Sequence, residues 1–232
     1  MAKKIINWAT LVNDITENCV KYHDQHYKEV GFTGPSLHFH IRALELKNPE
    51  KIEFVYAALT AWGMHRMGKK GAKLNNFDIF EKSIKDCEPI FTKLGDAKLE
   101  NSSGLEFDYI KELFHTLNPM ASGVKIVGVS KVLAHYIPDI IAPVDRQYTF
   151  QFLNQKKDTT PPRNWDEYEL LREIHLKLFK PIALNEHFRK HALEWLNQKS
   201  EYPWDTSIPK IIDNLIIGKL KGIGWVDEST EA

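Results

Sequence analysis

The residues best suited to chemistry lie between Ser122 and Tyr148, in SGVKIVGVSKVLAHYIPDIIAPVDRQY. Gly123 to Gly128 reads as a short glycine-bounded turn leading into a helix, SKVLAHYI, that starts near Ser130, so that Gly128, Val129 and Ser130 stand at its N-terminus. A helix N-terminus presents unpaired N–H groups and a partial positive charge, so a turn of this kind grips a phosphate. Gly128 leaves room for a phosphate oxygen to reach the backbone, and Lys131 adds a point charge beside it. Asp145 follows Pro138 and Pro143, at the head of a predicted helix DRQYTFQFL. A carboxylate there caps the helix, which fixes it in place and keeps it ionised. A fixed anion is suited to stabilising a cation that develops in a transition state. The same residues also fit an ordinary interhelical turn and an ordinary N-cap, worth about 1 kcal/mol to the fold and nothing to chemistry.

Other residues could serve the same site. HRMGKKGAK carries Arg66, Lys69, Lys70 and Lys73 with two glycines that let the cations converge on a phosphate backbone. Trp62 and His65 beside it could stack on a base; the alternative is a solvated loop with its tryptophan in the core. Tyr148 and Gln147, one turn beyond Asp145, are placed to touch a base or sugar, or to pack in the core. His187, His191 and Glu194 share one helical face, but Arg189 and Lys190 lie alongside and the H-E-x-x-H glutamate is missing. They read as a surface pair, and no metal or other cofactor is expected. His38 and His40 fall on different helical faces, so they make a poor ligand pair; one of them, with Arg42, is a candidate cleft residue.

The elements that must position these groups are helical. Trp8, Leu11, Val12, Ile15, Cys19, Tyr22 and His26 recur at helical spacing and predict one helix over about residues 7–29. Pro35 suits the first turn of the next, and Asn48 with Pro49 repeats the logic as cap and first residue of EKIEFVYAALTAWG. That helix is apolar nearly all round, as expected of the centre of a lobe. Phe77 to Leu94 is amphipathic, with Pro89 expected to kink or split it. Ser103 with Glu106 and Asn164 with Glu167 have capping-box spacing, QKKDTTPPR (155–163) reads as a linker, and further helices cover about 184–198 and the residues after Pro209. No alternating run is long enough to predict a strand. The expected fold is all-α, with roughly ten helices.

Bulk composition narrows the function classes. The 31 basic and 31 acidic side chains cancel, so the whole chain does not demand a polyanionic partner and any nucleic-acid contact must rest on local charge. Cys19 and Cys87 match no metal spacing and read as small buried hydrophobes in a reducing compartment. The start of the chain is too short and polar for a secretory h-region, and no window has the roughly eighteen apolar residues of a membrane span. A cytoplasmic protein without a membrane partner is expected.

GVSKVLA (128–134), followed by a proline-containing connector and VDRQY (144–148), resembles the helix-hairpin-helix DNA glycosylase superfamily that includes endonuclease III. That family's hairpin reads L-P-G-V-G-x-K-T-A and its catalytic aspartate sits in a V-D-T-H type segment; Gly128, Val129, Ala134 and Asp145 fall on matching positions. Ser130 replaces the second hairpin glycine, Val127 the proline and Val132 the Schiff-base lysine, the connector is shorter, and the iron–sulfur cysteines are absent. The resemblance implies a two-lobed fold, with 31–140 as the lobe carrying the hairpin and 1–30 with 141–232 as the other, unless the two form one continuous unit. It also implies an N-glycosidic hydrolase of base excision acting on a nucleotide extruded from duplex DNA. Asp145 would be the catalytic carboxylate. Without the aligned lysine the enzyme would be monofunctional, Lys131 being the nearby amine able to change that. The alternatives are a noncatalytic helix-hairpin-helix nucleic-acid-binding module, and a helical domain for a small molecule or protein in which Asp145 is only a cap.

Overall fold

Side-chain caps and prolines set most of the helix starts. The computed structural model describes residues 4–28, 34–65 and 73–225. Asn7 accepts the Thr10 N–H ahead of α1 (Trp8–Glu17), and α2 covers Cys19–Lys28. Pro35 opens α3 (Pro35–Glu45), α4 is Glu50–Leu59, and Asn76 caps α5 (Phe77–Leu94). Ser103 and Glu106 form the expected reciprocal box on α6 (Gly104–Thr116): the Glu106 carboxylate accepts the Ser103 N–H at 2.7 Å and Ser103 Oγ accepts the Leu105 N–H at 3.3 Å. Then follow α7 (Lys125–Tyr136), α8 (Gln151–Asn154), α9 (Glu167–Glu173), α10 (Lys180–Leu184), α11 (Glu186–Asn197) and α12 (Ile208–Gly222). Asn185 caps α11 and Ser207 caps α12. Wide π turns extend α4 (Thr60–Met64), lead into α8 (Arg146–Phe150) and join α9 to α10 (Ile174–Phe179). Among the described residues the strand content is one antiparallel ribbon, β1 (Lys73–Leu74) with β2 (Met120–Ser122). The protein is otherwise all-α.

Several boundaries differ from the sequence reading for local reasons. The helix expected over 7–29 breaks at Asn18, whose side-chain amide donates to the Asp14 carbonyl at 2.9 Å and competes with the backbone ladder there. Asn48 does not cap α4: its amide donates to Glu88 at 2.7 Å and its oxygen accepts the Tyr136 hydroxyl at 2.9 Å. Asn164 has a left-handed φ of 59°, and Asp166 caps α9 instead by accepting the Glu169 N–H. Pro89 lies inside α5 without splitting it.

The contacts divide the chain into two units, one of Met1–Gly31 with Val144–Ala232, the other of Phe32–Pro143. In the Phe32–Pro143 unit α4 packs on α3, α5 and α7. Its core includes Ile52, Val55, Leu59, Ile84, Ile110, Val129, Val132 and Leu133, all without solvent exposure. Cys87 is buried there, and burial, then the charges of Asp86 and Glu112, push its thiol up to about 12, out of reach of the thiolate chemistry a reactive cysteine needs.

In the other unit α2 lies along α12. Gly218 makes that approach possible, since a Cβ there would fall 1.9 Å from the Tyr22 carbonyl oxygen and 3.0 Å from the His26 nitrogen. A polar chain runs through this unit. His23 Nε2 meets Asp205 Oδ2 at 2.7 Å and its ring stacks on Trp195 at 3.8 Å. Asn214 donates to Asp205 Oδ1 at 2.7 Å, and Lys210 donates to Asp213 at 2.7 Å and to Asn214 at 2.6 Å. Buried charges are tolerable because each is paired and hydrogen-bonded. Among the described residues no helix is long and apolar enough to cross a membrane.

Gly218→Ala should lower the unfolding free energy by about 1–3 kcal/mol, because backbone and not a movable side chain occupies the space. Gly104→Ala, whose Cβ meets nothing within 4 Å, should change it by less than about 0.5 kcal/mol. Chemical denaturation of both variants compares them directly; equal effects would contradict this packing.

Candidate functional site

The helix that carries the glycine motif begins five residues earlier than its sequence suggests. Gly123 takes a φ of 105°, Val124 is extended as the N-cap, and α7 runs from Lys125. Gly128, Val129, Ser130 and Lys131 are therefore inside the helix and buried. Their N–H groups belong to the helical ladder and are not available to a phosphate, which overturns the expected grip at these positions. Ser130 caps nothing; its hydroxyl donates back to the Val127 carbonyl at 3.3 Å. Gly128 has a packing reason, since a Cβ would sit 2.4 Å from Met120 Cγ and 3.4 Å from Pro119 Cγ on the β2 side. The start was missed because a backbone turn at Gly123, and no side-chain cap, sets it.

Burial turns Lys131 into part of a cluster. Only 6% exposed, it holds its ammonium 5.6 Å from the centroid of the Trp62 ring. Trp62 is half-buried and is presented by the π turn after α4, which closes through Gly63 at a φ of 71°. The His135 and His40 rings lie 5.2 and 5.5 Å from the same indole. His135 Nδ1 is 2.7 Å from the Lys131 carbonyl oxygen, which can only accept, so Nδ1 carries the proton and Nε2 is an acceptor. His40 Nδ1, 3.0 Å from that Nε2, must then donate. Burial lowers the His135 pKa to about 4 against the opposing bond to the Lys131 carbonyl, and the charge of Lys51 adds to the lowering. The indole and the Lys131 ammonium thus form a cation–π pair bordered by the two imidazoles.

Asp145 is a helix cap, as its sequence position suggests. Its carboxylate accepts the Gln147 N–H at 2.7 Å, its own N–H donates to Thr149 Oγ1 at 3.0 Å, and its carbonyl accepts the Phe150 N–H at 3.1 Å. The residue is half-buried, and so are Gln147 and Tyr148 in the turn it opens. These three bonds between Asp145 and Phe150, one of them to the carboxylate itself, fix the residue on its own unit.

The other expected site residues divide. His65 is exposed. Arg66, Lys69 and Lys70 lie outside the described residues; of Lys73 the backbone is described, pairing opposite Ser122 in the ribbon, but not the side chain. His38 is exposed, and Arg42 pairs with Glu45 at 2.8 Å on the surface, so His40 reaches the interior without them. His187 and His191 stand with ring centroids 5.0 Å apart, and His191 lies 3.7 Å from Glu194. Among the described residues no group of three His, Cys, Asp or Glu is arranged to hold a metal ion.

Two features escaped sequence reasoning. The His40–His135 pair spans 95 residues, although the four-residue step from Lys131 to His135 on one helical face was a usable signal. The His23–Asp205 pair spans 182 residues and carried none. No family model, curated protein or solved structure matches the chain.

The depressed His135 pKa has a definite sign. Between about pH 4 and 6.5 the unfolded chain takes up a proton that the native site refuses, so this contribution is complete above about pH 6.5 and falls as the pH drops towards 4. The loss should be on the order of 3 kcal/mol across that window. Unfolding measured as a function of pH in the wild type and His135→Gln checks it: the slope should be shallower in the variant, and identical slopes would contradict the assignment.

Proposed function

We propose that the chain is a helix-hairpin-helix DNA glycosylase-like enzyme that hydrolyses the N-glycosidic bond of a modified or mismatched base, with Asp145 as its catalytic carboxylate. The observation that carries this reading is the fixed Asp145 cap, which follows the α6–turn–α7 segment in the chain and is bonded on both its side-chain and main-chain faces. A carboxylate accepting an N–H is stabilised as the anion. Opposite an extruded nucleotide it would offset the positive charge that builds on the sugar as the base departs, and orient the attacking water.

The reading keeps the enzyme monofunctional. Val132 occupies the position of the lyase lysine, and Lys131 stacks against Trp62 with little of its surface free. Reaction with an abasic duplex in the presence of borohydride should leave no covalent adduct; a trapped protein that disappears in Lys131→Gln would reassign Lys131 as a lyase.

The three-bond cap also suits a second reading, in which Asp145 is structural and the module binds nucleic acid without chemistry. Asp145→Asn separates the two, because Asn caps as well as Asp and the fold is retained while the charge is lost. Duplexes bearing a panel of modified bases, incubated and then heated in alkali, should be cut after treatment with wild type and about 100-fold more slowly or less with Asp145→Asn. Equal cutting would remove Asp145 from the chemistry. Salt-sensitive binding with no base release would select the noncatalytic module, and no binding at low salt would sink both.

A further inference from the structure

The segment 155–163, a linker by composition, is pinned in place. Asn154, almost fully buried, donates through its amide to the carbonyls of Asp158 (3.0 Å) and Thr160 (2.9 Å) and accepts the Lys4 ammonium on Oδ1 at 2.7 Å. Asp158 closes the bend by accepting both the N–H and the hydroxyl of Thr160, at 3.0 and 2.7 Å. Arg146 Nε donates to the Thr159 carbonyl at 3.2 Å. The Lys4 segment is fastened to the far end of the loop: its N–H donates to the Arg163 carbonyl at 3.2 Å, and Trp165 Nε1 donates to its carbonyl at 3.2 Å. Pro161 stiffens the same stretch.

These bonds hold open a depression of about 410 Å³ whose charged lining is Lys4, Lys156, Arg163 and Asp158. The charge is uneven, three cations to one carboxylate, in a chain whose total charge is zero. The carboxylate is already engaged by the Thr160 hydroxyl and N–H and by Lys156 at 3.0 Å, and those contacts hold its pKa below the usual range. Lys4 is tied to a neutral amide oxygen, and among the described residues neither Lys4 nor Arg163 has a carboxylate within ion-pairing distance. Partial burial lowers the Lys4 pKa, and the nearby Lys156 charge lowers it further against the opposing charge of Asp158. Thr160 adds a hydroxyl and Asn154 an amide to the same wall.

We infer that this depression is an anion site that takes a phosphate group, gripped by Lys4, Lys156 and Arg163. Because the loop's internal bonds fix the backbone that carries these side chains, little backbone freedom is lost on binding, which is what separates a site from a spread of surface lysines. Arg163 can engage two phosphate oxygens at once, and the two ammonium groups supply point charges. The chemistry fits a free phosphate or phosphomonoester and also the phosphodiester of a nucleic-acid backbone. The inference does not depend on the glycosylase reading, since it needs no reaction at Asp145.

Calorimetric titration of the intact chain at low salt, with pyrophosphate in one arm and an undamaged oligonucleotide in the other, tests it. Wild type should bind at least one. Lys156→Gln/Arg163→Gln, both exposed, removes the Lys156–Asp158 ion pair but leaves the bonds of Asn154, Thr160 and the Lys4 backbone that fasten the loop; it should weaken binding by about tenfold or more with unchanged circular dichroism. Lys177→Gln, which pairs with Glu173 away from the depression, should not. Binding of pyrophosphate alone identifies a site for free phosphate groups, and binding of the oligonucleotide alone a backbone contact. No binding in either arm, or equal weakening by Lys177→Gln, overturns the inference.

Discussion

A helix buried on every side has no water with which to satisfy a polar side chain, and each unit of this protein is closed around one. In the Phe32–Pro143 unit that helix is α7, buried at Ile126 and from Gly128 through His135. In the other it is α12, with Lys210, Asp213 and Asn214 among its buried residues. Every polar group on such a helix must find a protein partner or cost about 1–3 kcal/mol. The outcome is two internal chains of bonds: Lys131, His135 and His40 around Trp62 in one unit, His23, Asp205, Asn214, Lys210 and Asp213 in the other. His26, close by on α2, is the contrast. Burial, then the charges of Lys210, Lys221 and His23, drive its pKa well below the usual value, so it is carried as a neutral ring.

This constraint explains how the glycine motif came to be read one way and folds another. Gly128 to Lys131 has the residue types of a phosphate turn, but the flanking Ile126, Val129, Val132 and Leu133 form an apolar surface that continues across it. Burying that surface at about 25 cal/mol per Å² outweighs the preference of Ser130 for a cap position, so the helix extends back to Lys125. Asp145 was legible because a cap is a local event: one carboxylate, one N–H two residues on, and a preceding proline that stops the chain from continuing as helix.

Local signals carried most of the fold class. Pro35 and Ser103 with Glu106 stand at the helix starts expected of them, and the apolar spacing of Phe80, Ile84, Cys87 and Phe91 gives the inward face of α5. What could not be read depends on long-range partners. Asn48 looks like a cap until Tyr136 and Glu88 claim it, and nothing near His23 announces Asp205. The depression by Lys4 was hidden for a related reason. QKKDTTPPR has the composition of a flexible linker, and it is rigid because Asn154, just outside it, and Lys4, at the other end of the chain, bind it.

The pairing of α2 with α12 also bears on how the chain is made. The Phe32–Pro143 unit is continuous, so it can close as soon as it has been synthesised. α2 emerges long before it, yet the groove that receives Tyr22 around Gly218 comes from a helix some 180 residues later, from Lys28 to Ile208. At about 5–20 residues per second, that interval lasts roughly ten seconds or more. During it, Cys19, Tyr22, His23 and His26 have no α12 to cover them. Over that interval the apolar face of α2 stays without the helix that buries it in the native fold.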